Sequence, residues 1–394
     1  MNISAILNKD KNLFYSDLKN NIDYLEEIIQ NSSFLVLGGA GTIGSATVKE
    51  IFKRNPKKLH VVDISENNLA ELVRDIRSSL GYIDGEFKTF ALDIGSDIYD
   101  KFFDEIGNYD YVLNFSALKH VRSEKDKYTL MRMIEVNILN TVKTLEQSIS
   151  KKVKKYFCVS TDKASNPVNM MGASKRIMEL FLMKYAKDID ISTARFANVA
   201  FSDGSLLHSW ILRMQKKQPI VAPKGIRRYF ITQEEAGILC LLSTLLGENK
   251  ELFFPKLSPE KDLLELTEIA LRFVKSQGYE PYICKTEEEA RKLAPILPKE
   301  KKWAVYFSES DTTGEKDYEE FFTEGEEVIL DKFEDIGIVK LNLPFEERKL
   351  EQFLEQIKKL RKNGWEKTDL VELFNFLLPN FMHKETGKYL DEKM

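Results

Sequence analysis

A glycine-rich turn between an apolar run and an amphipathic segment restricts the fold of this chain more than any other feature. Residues 34–38 read FLVLG, and residues 38–44 read GGAGTIG. Glycines at three-residue intervals let the chain turn sharply and bring bare amides close to a pyrophosphate at the N-terminus of the next helix. The turn therefore predicts a dinucleotide site, and a strand-to-helix turn without a ligand is the alternative interpretation. The cofactor-binding residues predicted here are Gly38, Gly41, Thr42, Ile43 and Gly44.

Short apolar runs alternate with amphipathic segments as far as about residue 200. The runs read FLVLG, KLHVVD, FKTFALD, YDYVLNFSA and KKYFCVS, and segments such as SATVKEIFKR and NNLAELVRDIRSSL lie between them. This alternation predicts an α/β fold with a Rossmann-type, doubly wound parallel sheet. We assign residues 32–200 to this dinucleotide-binding domain.

The rest of the chain departs from that alternation. Residues 1–31 are polar and helix-prone, which predicts a helical N-terminal extension. Residues 201–346 are assigned mainly to a smaller substrate-binding lobe, with some segments returning to the first domain. Within them the charged stretch 276–335 shows little regular periodicity. Residues 347–394 read as a C-terminal segment of amphipathic helices.

Composition argues against several kinds of partner. The 394 residues carry a formal net charge of -4, with charges of both signs interspersed, which disfavours nucleic acid or an anionic membrane. No apolar run approaches the roughly 20 residues of a membrane span, and nothing resembles a signal peptide. Cys158, Cys240 and Cys284 lack metal-ligand spacing. We therefore expect free thiols, no bound metal and a cytoplasmic protein.

Asp63 ends the second apolar run, 19 residues after Gly44. An acid there accepts hydrogen bonds from a ribose 2′-hydroxyl and repels a 2′-phosphate, which favours NAD over NADP. Asp93 ends the third run and can bond the adenine amino group, although an aspartate at a strand end is common in any loop. The further cofactor-binding residues predicted are Ile94, Ser116 and Ala117.

Reactive side chains follow the fifth run. Residues 160–163 read STDK, and parallel sheets bind their ligands at the carboxyl edge. We therefore expect Thr161, Asp162 and Lys163 to face the nicotinamide. Lys175 matches the lysine of the Tyr-x-x-x-Lys pattern of short-chain dehydrogenases, but Met171 occupies the tyrosine position. A thioether cannot take a proton from an alcohol.

STDKASNP followed by MMGASKRIME resembles the sugar-nucleotide 4,6-dehydratases of bacterial surface-polysaccharide synthesis. These are extended short-chain dehydrogenase/reductases, and the similarity is greatest to the capsular type acting on UDP-N-acetylglucosamine. It covers residues 32–240 well and the remainder weakly. One branch of that family also carries methionine at the tyrosine position, so the resemblance implies that Met171 marks a subclass. The other matching motifs are GGAGTIGS, SALKHV at 116–121, Asn137 in EVNILNT, RFANVAFSDGS at 195–205 and RRYFIT at 227–232.

The resemblance implies a reaction in which NAD ends as it began. Hydride leaves C4 of the hexose, water is eliminated across C5 and C6, and the hydride returns to C6. By this resemblance Lys163 is the base at C5 and Asp162 the acid at C6. Thr161 lies beside the C4 hydroxyl, and Lys175 holds the nicotinamide ribose.

Two parts of this chemistry stay open at the level of sequence. Cations near Lys163 help it to lose its proton, but the same cations disfavour a protonated Asp162. Either desolvation of the carboxyl compensates, or Lys163 and Asp162 share a proton as one coupled pair. For the C4 hydroxyl proton we hypothesise a relay from Thr161 through water to Lys175, with Met171 packing against the sugar.

Recognition of a diphosphate requires cations and hydrogen-bond donors. Arg228 is the strongest candidate, because its planar fork matches a phosphate pair. His120 is equally interpretable as a hydrogen-bonded spacer, and Asn137 as ordinary polar packing or as a residue that kinks the active-site helix. The substrate-binding residues implied by the resemblance are Lys119, His120, Met171, Asn198, Ser205 and Arg228.

The distal lobe departs from the family pattern. Residues 310–316 read SDTTGEK where many members carry Leu-Arg-Pro-Gly-Glu-Lys, and the preceding insert, with EEEARKLAPILPKEKKW, is long. Both changes fall where the nucleotide base or the acyl sugar is expected. UDP and GDP therefore both remain possible.

These features lead to an NAD-dependent NDP-hexosamine 4,6-dehydratase, a lyase. The alternatives are an NAD-dependent NDP-sugar epimerase, which normally needs the missing tyrosine, and a non-catalytic nucleotide-binding scaffold protein. We expect a homo-oligomer, dimer or higher, because relatives pair through the helix carrying Lys175 and its predecessor at 125–149. Met178, Leu180 and Leu182 suit such a contact, or equally face the chain's own sheet.

Overall fold

The computed structural model describes residues 1–309 and 319–383. Its strands are β1 (Ser33–Leu37), β2 (Lys58–Asp63), β3 (Glu86–Ala91), β4 (Tyr111–Asn114), β5 (Lys155–Val159), β6 (Asp190–Ala194), β7 (Asn198–Val199), β8 (Ile220–Pro223), β9 (Arg227–Ile231), β10 (Glu251–Pro255), β11 (Leu263–Glu265), β12 (Glu280–Cys284), β13 (Lys302–Ser308), β14 (Glu327–Ile329) and β15 (Ile336–Lys340). Its α-helices are α1 (Ile3–Ile6), α2 (Tyr15–Asn20), α3 (Ile22–Gln30), α4 (Thr42–Phe52), α5 (Glu66–Ser79), α6 (Asp97–Ile106), α7 (Lys127–Ile134), α8 (Asn140–Ser150), α9 (Met170–Tyr185), α10 (Leu206–Gln215), α11 (Gln233–Leu246), α12 (Pro259–Asp262), α13 (Leu266–Ser276), α14 (Glu287–Leu293), α15 (Glu347–Asn363) and α16 (Lys367–Leu377).

The main sheet has nine strands within the described ranges, in the order β14-β15-β10-β6-β5-β4-β1-β2-β3. Strands β1 to β6 and β10 pair in parallel, whereas β15 runs antiparallel to both β10 and β14. The strand order reverses at β1, where Leu37 pairs with Val62 on one side and Asn114 on the other. The predicted α/β, doubly wound sheet is therefore confirmed. Its carboxyl edge beside β1 is where sheets of this kind bind ligands.

Apolar layers cover both faces of this sheet, which explains why its strands read as nearly continuous hydrophobic runs. One layer packs beneath α6 to α9 and includes Tyr156 and Met178. The other packs beneath α3, α4, α5 and α11 and includes Phe34 and Leu239. Both layers include residues just beyond the strand ends, such as Ile94 and Phe115, so the loops at the carboxyl edge pack on the apolar core.

Two smaller sheets lie in the second half of the chain. β12, β13 and β8 pair in parallel, and β9 lies between β11 and β7. The stretch 276–335 thus contains β12, α14, β13 and β14, although its sequence shows little periodicity. The reason is that β12 leaves Tyr282 and Ile283, neighbours that point to opposite faces, 38% and 56% exposed. A strand exposed on both faces produces no alternation of polar and apolar residues. The segments α11, β10, β14 and β15 pack on or join the main sheet.

The two ends of the described chain pack on the main domain. Near the N-terminus, the Asp17 carboxylate accepts hydrogen bonds from Glu334 N at 2.6 Å and Asp335 N at 2.9 Å. Near the other end, Phe353 of α15 lies 6.4 Å from Phe181 of α9 between ring centroids. Trp365 Nε1 donates to Lys127 O at 2.9 Å.

Other parts of the same chain cover the residues that were expected to suit a contact between copies. Met178, Leu180 and Leu182 are all buried, and α16 packs against α9. The homo-oligomer therefore stays a prediction and needs another surface or a rearranged C-terminal segment.

Cys158, Cys240 and Cys284 are buried free thiols. In residues 1–309 and 319–383, no helix is both long enough and apolar enough to span a bilayer. The same ranges contain no group of three or more His, Cys, Asp or Glu side chains placed to hold a metal.

Candidate active site

The glycine turn joins β1 to α4 where the sheet order reverses. Gly38 has a φ of +68°, and a Cβ there would lie 2.7 Å from Ser116 N, so a side chain is excluded. A Cβ at Gly44 would lie 2.8 Å from Gly39 Cα. At Gly41, by contrast, the nearest described atom would be Gly38 O at an ordinary 3.5 Å. Gly41 thus leaves space in front of the first turn of α4, whose N–H groups can receive a phosphate.

Asp63 lies beside this turn. Its Oδ2 accepts a hydrogen bond from Ala40 N at 3.0 Å, and its Oδ1 accepts one from Ser65 N at 2.9 Å. These two bonds orient the carboxylate next to the glycine turn. The arrangement suits a dinucleotide, because the open space at Gly41 and an acid for the ribose lie on the same edge.

Asp93 follows β3 on the same side of the sheet. Its Oδ1 accepts a hydrogen bond from Gly95 N at 2.8 Å, and its Oδ2 lies 3.3 Å from Arg132 Nη2. The neighbouring Ile94 is buried. The Asp93 carboxylate is therefore already engaged by the protein, and its contact with adenine stays a prediction.

Asn137 fastens the loop after β4 to the helix that carries Lys175. Its Oδ1 accepts a hydrogen bond from Leu118 N at 2.9 Å, and its Nδ2 donates to Leu118 O at 3.1 Å and to Ser174 Oγ at 2.9 Å. It lies in a π-helical turn, Glu135–Leu139, a distortion that is frequent at functional sites. The loop carries the predicted residues Ser116, Ala117, Lys119 and His120.

The predicted catalytic residues meet directly after β5. Thr161 Oγ1 donates a hydrogen bond to Asp162 Oδ1 at 2.8 Å. Lys163 Nζ lies 3.4 Å from both carboxylate oxygens of Asp162. Asp162 is buried, whereas the Lys163 side chain is 37% exposed. A hydroxyl, a carboxylate and an amine in contact form a group that can exchange protons among its members.

Lys175 and Met171 lie on α9 beneath this group. Lys175 is buried, and its Nζ donates to Val159 O, the last carbonyl of β5, at 3.1 Å. Burial lowers the pKa of Lys175. Met171, one turn earlier, is buried as well. The helix therefore brings an amine, but no phenol, to the end of β5.

Glu319 is a buried carboxylate that the sequence analysis did not single out. Its side chain is 4% exposed and lies 3.5 Å from Arg228 Nε. It accepts hydrogen bonds from Asn198 Nδ2 and, at 3.2 Å, from Tyr229 N. Burial raises the pKa of Glu319, and the negative charge of Asp162 raises it further. In the sequence it lies within an acidic stretch (KDYEEFFTEGEE) that resembles a solvated segment, so no local signal marks it.

A loop at residues 202–205 connects the glycine turn to the loop after β4. Asp203 N donates to Thr42 Oγ1 at 2.9 Å. A Cβ at Gly204 would lie 2.9 Å from His120 Nε2, so the imidazole packs against bare backbone. Loss of hydration lowers the pKa of Lys119, and the charge of Asp203 partly offsets this. This loop therefore contacts both a predicted cofactor-binding residue, Thr42, and a predicted substrate-binding residue, His120.

Other predicted substrate residues have structural contacts of their own. Ser205 caps α10, where its Oγ accepts a hydrogen bond from His208 N at 3.2 Å. Asn198 Nδ2 also donates to Tyr229 O at 3.2 Å. Their contacts with a substrate stay predictions. Residues 310–316, which depart from the family pattern, lie outside the described residues.

Comparison with known proteins identifies a family. The polysaccharide biosynthesis protein family matches residues 34–340. A Methanocaldococcus jannaschii protein named uncharacterized membrane protein MJ1061 is 30% identical over 325 residues, which cover 80% of this chain and 87% of that protein. The capsular polysaccharide biosynthesis protein CapD of Staphylococcus aureus is 24% identical over 75% of this chain and 48% of its own length. A UDP-glucose 4-epimerase of Rickettsia prowazekii is 24% identical over 85% of this chain and 99% of its own. The chain thus spans about half the length of CapD.

Solved structures share the fold. Pen from Bacillus thuringiensis superposes with a TM-score of 0.65 at 23% identity, covering 80% of this chain and 89% of Pen. The dTDP-glucose 4,6-dehydratase DesIV from Streptomyces venezuelae, solved with NAD and TYD bound, gives 0.53 at 18% identity, covering 71% and 88%. At these identities the likeness establishes a common architecture.

Proposed function

We propose that this chain, which belongs to the polysaccharide biosynthesis protein family, is an NAD-dependent 4,6-dehydratase of a nucleotide-linked N-acetylhexosamine. Its product is a 4-keto-6-deoxy sugar nucleotide for surface-glycan synthesis. UDP-N-acetylglucosamine is the substrate expected from the sequence resemblance, and the GDP-linked sugar is the alternative. The activity of a capsular protein about twice as long does not transfer as a whole, so the proposal depends on the site described above.

The observation that carries this proposal is the contact between Asp162 and Lys163 at the end of β5. Lys163 Nζ lies 3.4 Å from both oxygens of a buried carboxylate. Elimination of water needs a base for the C5 proton and an acid for the C6 hydroxyl, and these two side chains supply both, side by side. A simple dehydrogenase or a scaffold protein has no use for such a pair.

NAD bound at the glycine turn supplies the hydride acceptor at C4 and the hydride donor at C6. Gly38, Gly41 and the N-terminus of α4 hold its pyrophosphate, and Asp63 binds its adenine ribose. Burial of the Lys175 ammonium costs free energy, and hydrogen bonds to the hydroxyls of the nicotinamide ribose would offset this cost. These residues bind and orient the cofactor.

Once C4 is a ketone, the C5 proton is acidic. Lys163 removes this proton, and Asp162 protonates the departing C6 hydroxyl, which leaves as water. When the hydride returns to C6, Lys163 gives its proton back to C5, and Asp162 regains a proton from solvent. Thr161, whose Oγ1 donates to Asp162 Oδ1 at 2.8 Å, passes the C4 hydroxyl proton through water to Lys175 in the preceding oxidation. Met171 stands where other short-chain dehydrogenases use tyrosine and takes no part in proton transfer.

The second candidate is an epimerase, because the chain also matches a UDP-glucose 4-epimerase over nearly the whole of that protein. Met171 counts against this reading, since 4-epimerization in this fold normally relies on the tyrosine that is missing here. The Asp162–Lys163 pair would also have no role in inverting C4.

The proposed function is tested by incubating the purified protein with NAD and either UDP- or GDP-N-acetylglucosamine. The product is then analysed by mass spectrometry. A 4,6-dehydratase yields a sugar nucleotide lighter by one water and, in deuterium oxide, labelled at C5. A product of unchanged mass with inverted C4 identifies an epimerase instead. Bound NAD without turnover on either substrate identifies a scaffold protein.

A further inference from the structure

Residues 319–321 form a short segment, here named the strap, that lies against the loop after β5. Ser165 Oγ lies 2.7 Å from Asp162 O and 2.8 Å from Glu320 O, within hydrogen-bond distance of both. Glu319 is the first residue of the strap, and its side chain is buried. The strap therefore places a buried carboxylate beside the loop that carries the predicted catalytic residues.

The Glu319 carboxylate holds two side chains that were predicted to bind substrate. Arg228 Nε lies 3.5 Å from Glu319 Oε1, and Asn198 Nδ2 donates a hydrogen bond to the same oxygen. Tyr229 N donates to Glu319 Oε2 at 3.2 Å. Arg228 and Tyr229 belong to β9 and Asn198 belongs to β7, which pairs with β9. One carboxylate thus connects two adjacent strands to the strap.

The guanidinium of Arg228 is held at two points. Besides its contact with Glu319, its Nη1 donates to Arg227 O at 2.8 Å. The Arg228 side chain is 17% exposed and that of Glu319 is 4% exposed, so Arg228 is the more accessible member of the pair. A guanidinium that is already fixed loses less conformational freedom when it binds a phosphate, which favours binding.

We infer that Glu319 is a positioning residue for the sugar nucleotide, which holds Arg228 and Asn198 in the orientation that binds the diphosphate. This inference rests on the proposed function, because that function makes a nucleotide diphosphate part of the substrate. Glu319 acts through these two side chains rather than on the reacting carbons.

Two effects of Glu319 on a bound diphosphate oppose each other. A carboxylate near the phosphates repels them, whereas its hydrogen bonds fix the donors that the phosphates need. Burial and the charge of Asp162 raise the pKa of Glu319. Arg228 and the Tyr229 N–H oppose this rise, so Arg228 partly compensates the carboxylate and reduces the repulsion. Because a rotated guanidinium loses its paired geometry with the phosphates, we expect orientation to outweigh repulsion.

The test measures the binding of UDP and of GDP to the full chain with NAD bound, by calorimetry. Glu319→Gln keeps the size of the side chain but replaces one acceptor oxygen by an amide that donates, so the three donors are no longer all satisfied. The Kd of whichever nucleotide the native protein binds should rise about tenfold, while the Kd for NAD stays unchanged. In turnover, KM for the sugar nucleotide should rise more than kcat falls.

Glu320→Gln is the matched control on the same strap. The Glu320 carboxylate accepts a hydrogen bond from Asn166 Nδ2 at 2.9 Å, so this variant removes a charge from the strap at the neighbouring position. Its Kd for the nucleotide should match that of the native protein.

A double-mutant cycle separates positioning from a structural role. Arg228→Ala removes the guanidinium that Glu319 orients, so adding Glu319→Gln to Arg228→Ala should raise the nucleotide Kd further by about threefold at most. A purely structural role changes the free energy of unfolding but gives no dependence of nucleotide affinity on Arg228. A full tenfold effect of Glu319→Gln in the Arg228→Ala background therefore contradicts the inference.

The remaining outcomes distinguish the inference from the proposed function. An unchanged or lower nucleotide Kd in folded Glu319→Gln overturns the inference and leaves the proposed function standing. A native protein that binds neither UDP nor GDP overturns both. A native protein that binds one of them but dehydrates no sugar nucleotide overturns the dehydratase function, while the Kd comparison still decides the role of Glu319.

Should Glu319→Gln fail to fold, Glu319→Asp takes its place. Aspartate keeps the charge but is one methylene shorter, so its carboxylate no longer reaches all three donors. A raised nucleotide Kd in Glu319→Asp supports the inference, and an unchanged Kd contradicts it.

Discussion

The guanidinium of Arg195 holds the carboxylate of Glu179 through two hydrogen bonds, from Nε to Oε1 at 2.9 Å and from Nη2 to Oε2 at 2.6 Å, and both side chains are fully buried. Ser160 Oγ also donates to Glu179 Oε1 at 2.7 Å. Arg195 follows β6, Ser160 follows β5, and Glu179 lies one turn after Lys175 on α9. The pair therefore fixes the lysine-bearing helix against the edge that carries the predicted catalytic residues.

Replacing Glu179 by alanine should destabilise the fold strongly, because it leaves the buried Arg195 with much of its charge uncompensated. We expect a loss of about 3–5 kcal/mol in the free energy of unfolding, measured by urea titration. Glu351→Ala is the control, since Glu351 is 59% exposed and pairs with Lys184 on the surface. That change should cost at most about 1 kcal/mol. Equal free energies of unfolding for the two variants would show that the buried pair stabilises the fold no more than the surface pair does.

Lys155 should make stability depend on pH. Burial lowers its pKa from 10.5 to about 8, and its Nζ donates to Gly247 O. Folding therefore becomes more favourable as the pH rises from about 8 to about 10.5, because the folded state no longer carries a buried charge that the unfolded chain keeps. The stability of the native chain relative to Lys155→Met should rise by about 3 kcal/mol across that interval.

The control for Lys155 is its neighbour Lys154, which is 67% exposed and bonded to Asp110. Asp110 raises the pKa of Lys154, so its contribution is lost only at still higher pH. Lys154→Met should therefore leave the slope between pH 8 and pH 10 unchanged. A parallel response of both variants in denaturant titrations would contradict the assignment to Lys155.

Gly41 and Gly44 should respond differently to alanine. Gly41 has a φ of -72° and room for a Cβ, so Gly41→Ala should keep its melting temperature while the methyl group intrudes on the pyrophosphate. We expect its Kd for NAD, measured by calorimetry, to rise at least tenfold (about 1.4 kcal/mol). At Gly44 the Cβ meets Gly39 and the backbone of Gly38, so Gly44→Ala should lose about 1–3 kcal/mol of stability as well. Unchanged NAD affinity in Gly41→Ala would show that this space is not the phosphate site.

Thr161 should matter through its hydroxyl. Thr161→Val removes the bond to Asp162 Oδ1 and the proposed relay for the C4 proton, so formation of NADH on mixing with substrate should slow about 100-fold. Thr161→Ser keeps the hydroxyl and should remain within about tenfold of the native rate. Stopped-flow absorbance measures this step separately from dehydration. Native NADH formation in Thr161→Val would eliminate the relay.

Local sequence signals predicted the main sheet and which residues lie at its carboxyl edge. The glycine turn, the buried runs and the STDK segment are each recognised from a few consecutive residues. Because the carboxyl ends of parallel strands lie at one edge of the sheet, these segments were expected to lie together. The helix that carries Lys175 was expected only from the family resemblance, and it is α9 in the structure.

Contacts between residues that lie far apart in the sequence could not be predicted from it. Glu319 joins Asn198 and Arg228, which lie about ninety or more residues earlier, and its acidic surroundings in sequence suggest solvent rather than a buried site. Likewise, β12 is exposed on both faces and carries no alternation. Coverage of α9 by α15 and α16 depends on packing between ends of the fold, which periodicity within one helix does not reveal.

The most direct measurement of the central claim uses UDP-N-acetylglucosamine deuterated at C4. A dehydratase that lends the hydride to NAD and takes it back moves this deuterium to C6 of the same molecule, with loss of one water. We predict that nuclear magnetic resonance will find the label on the C6 methyl group of a 4-keto product. Deuterium remaining at C4 of a sugar of unchanged mass would contradict the account.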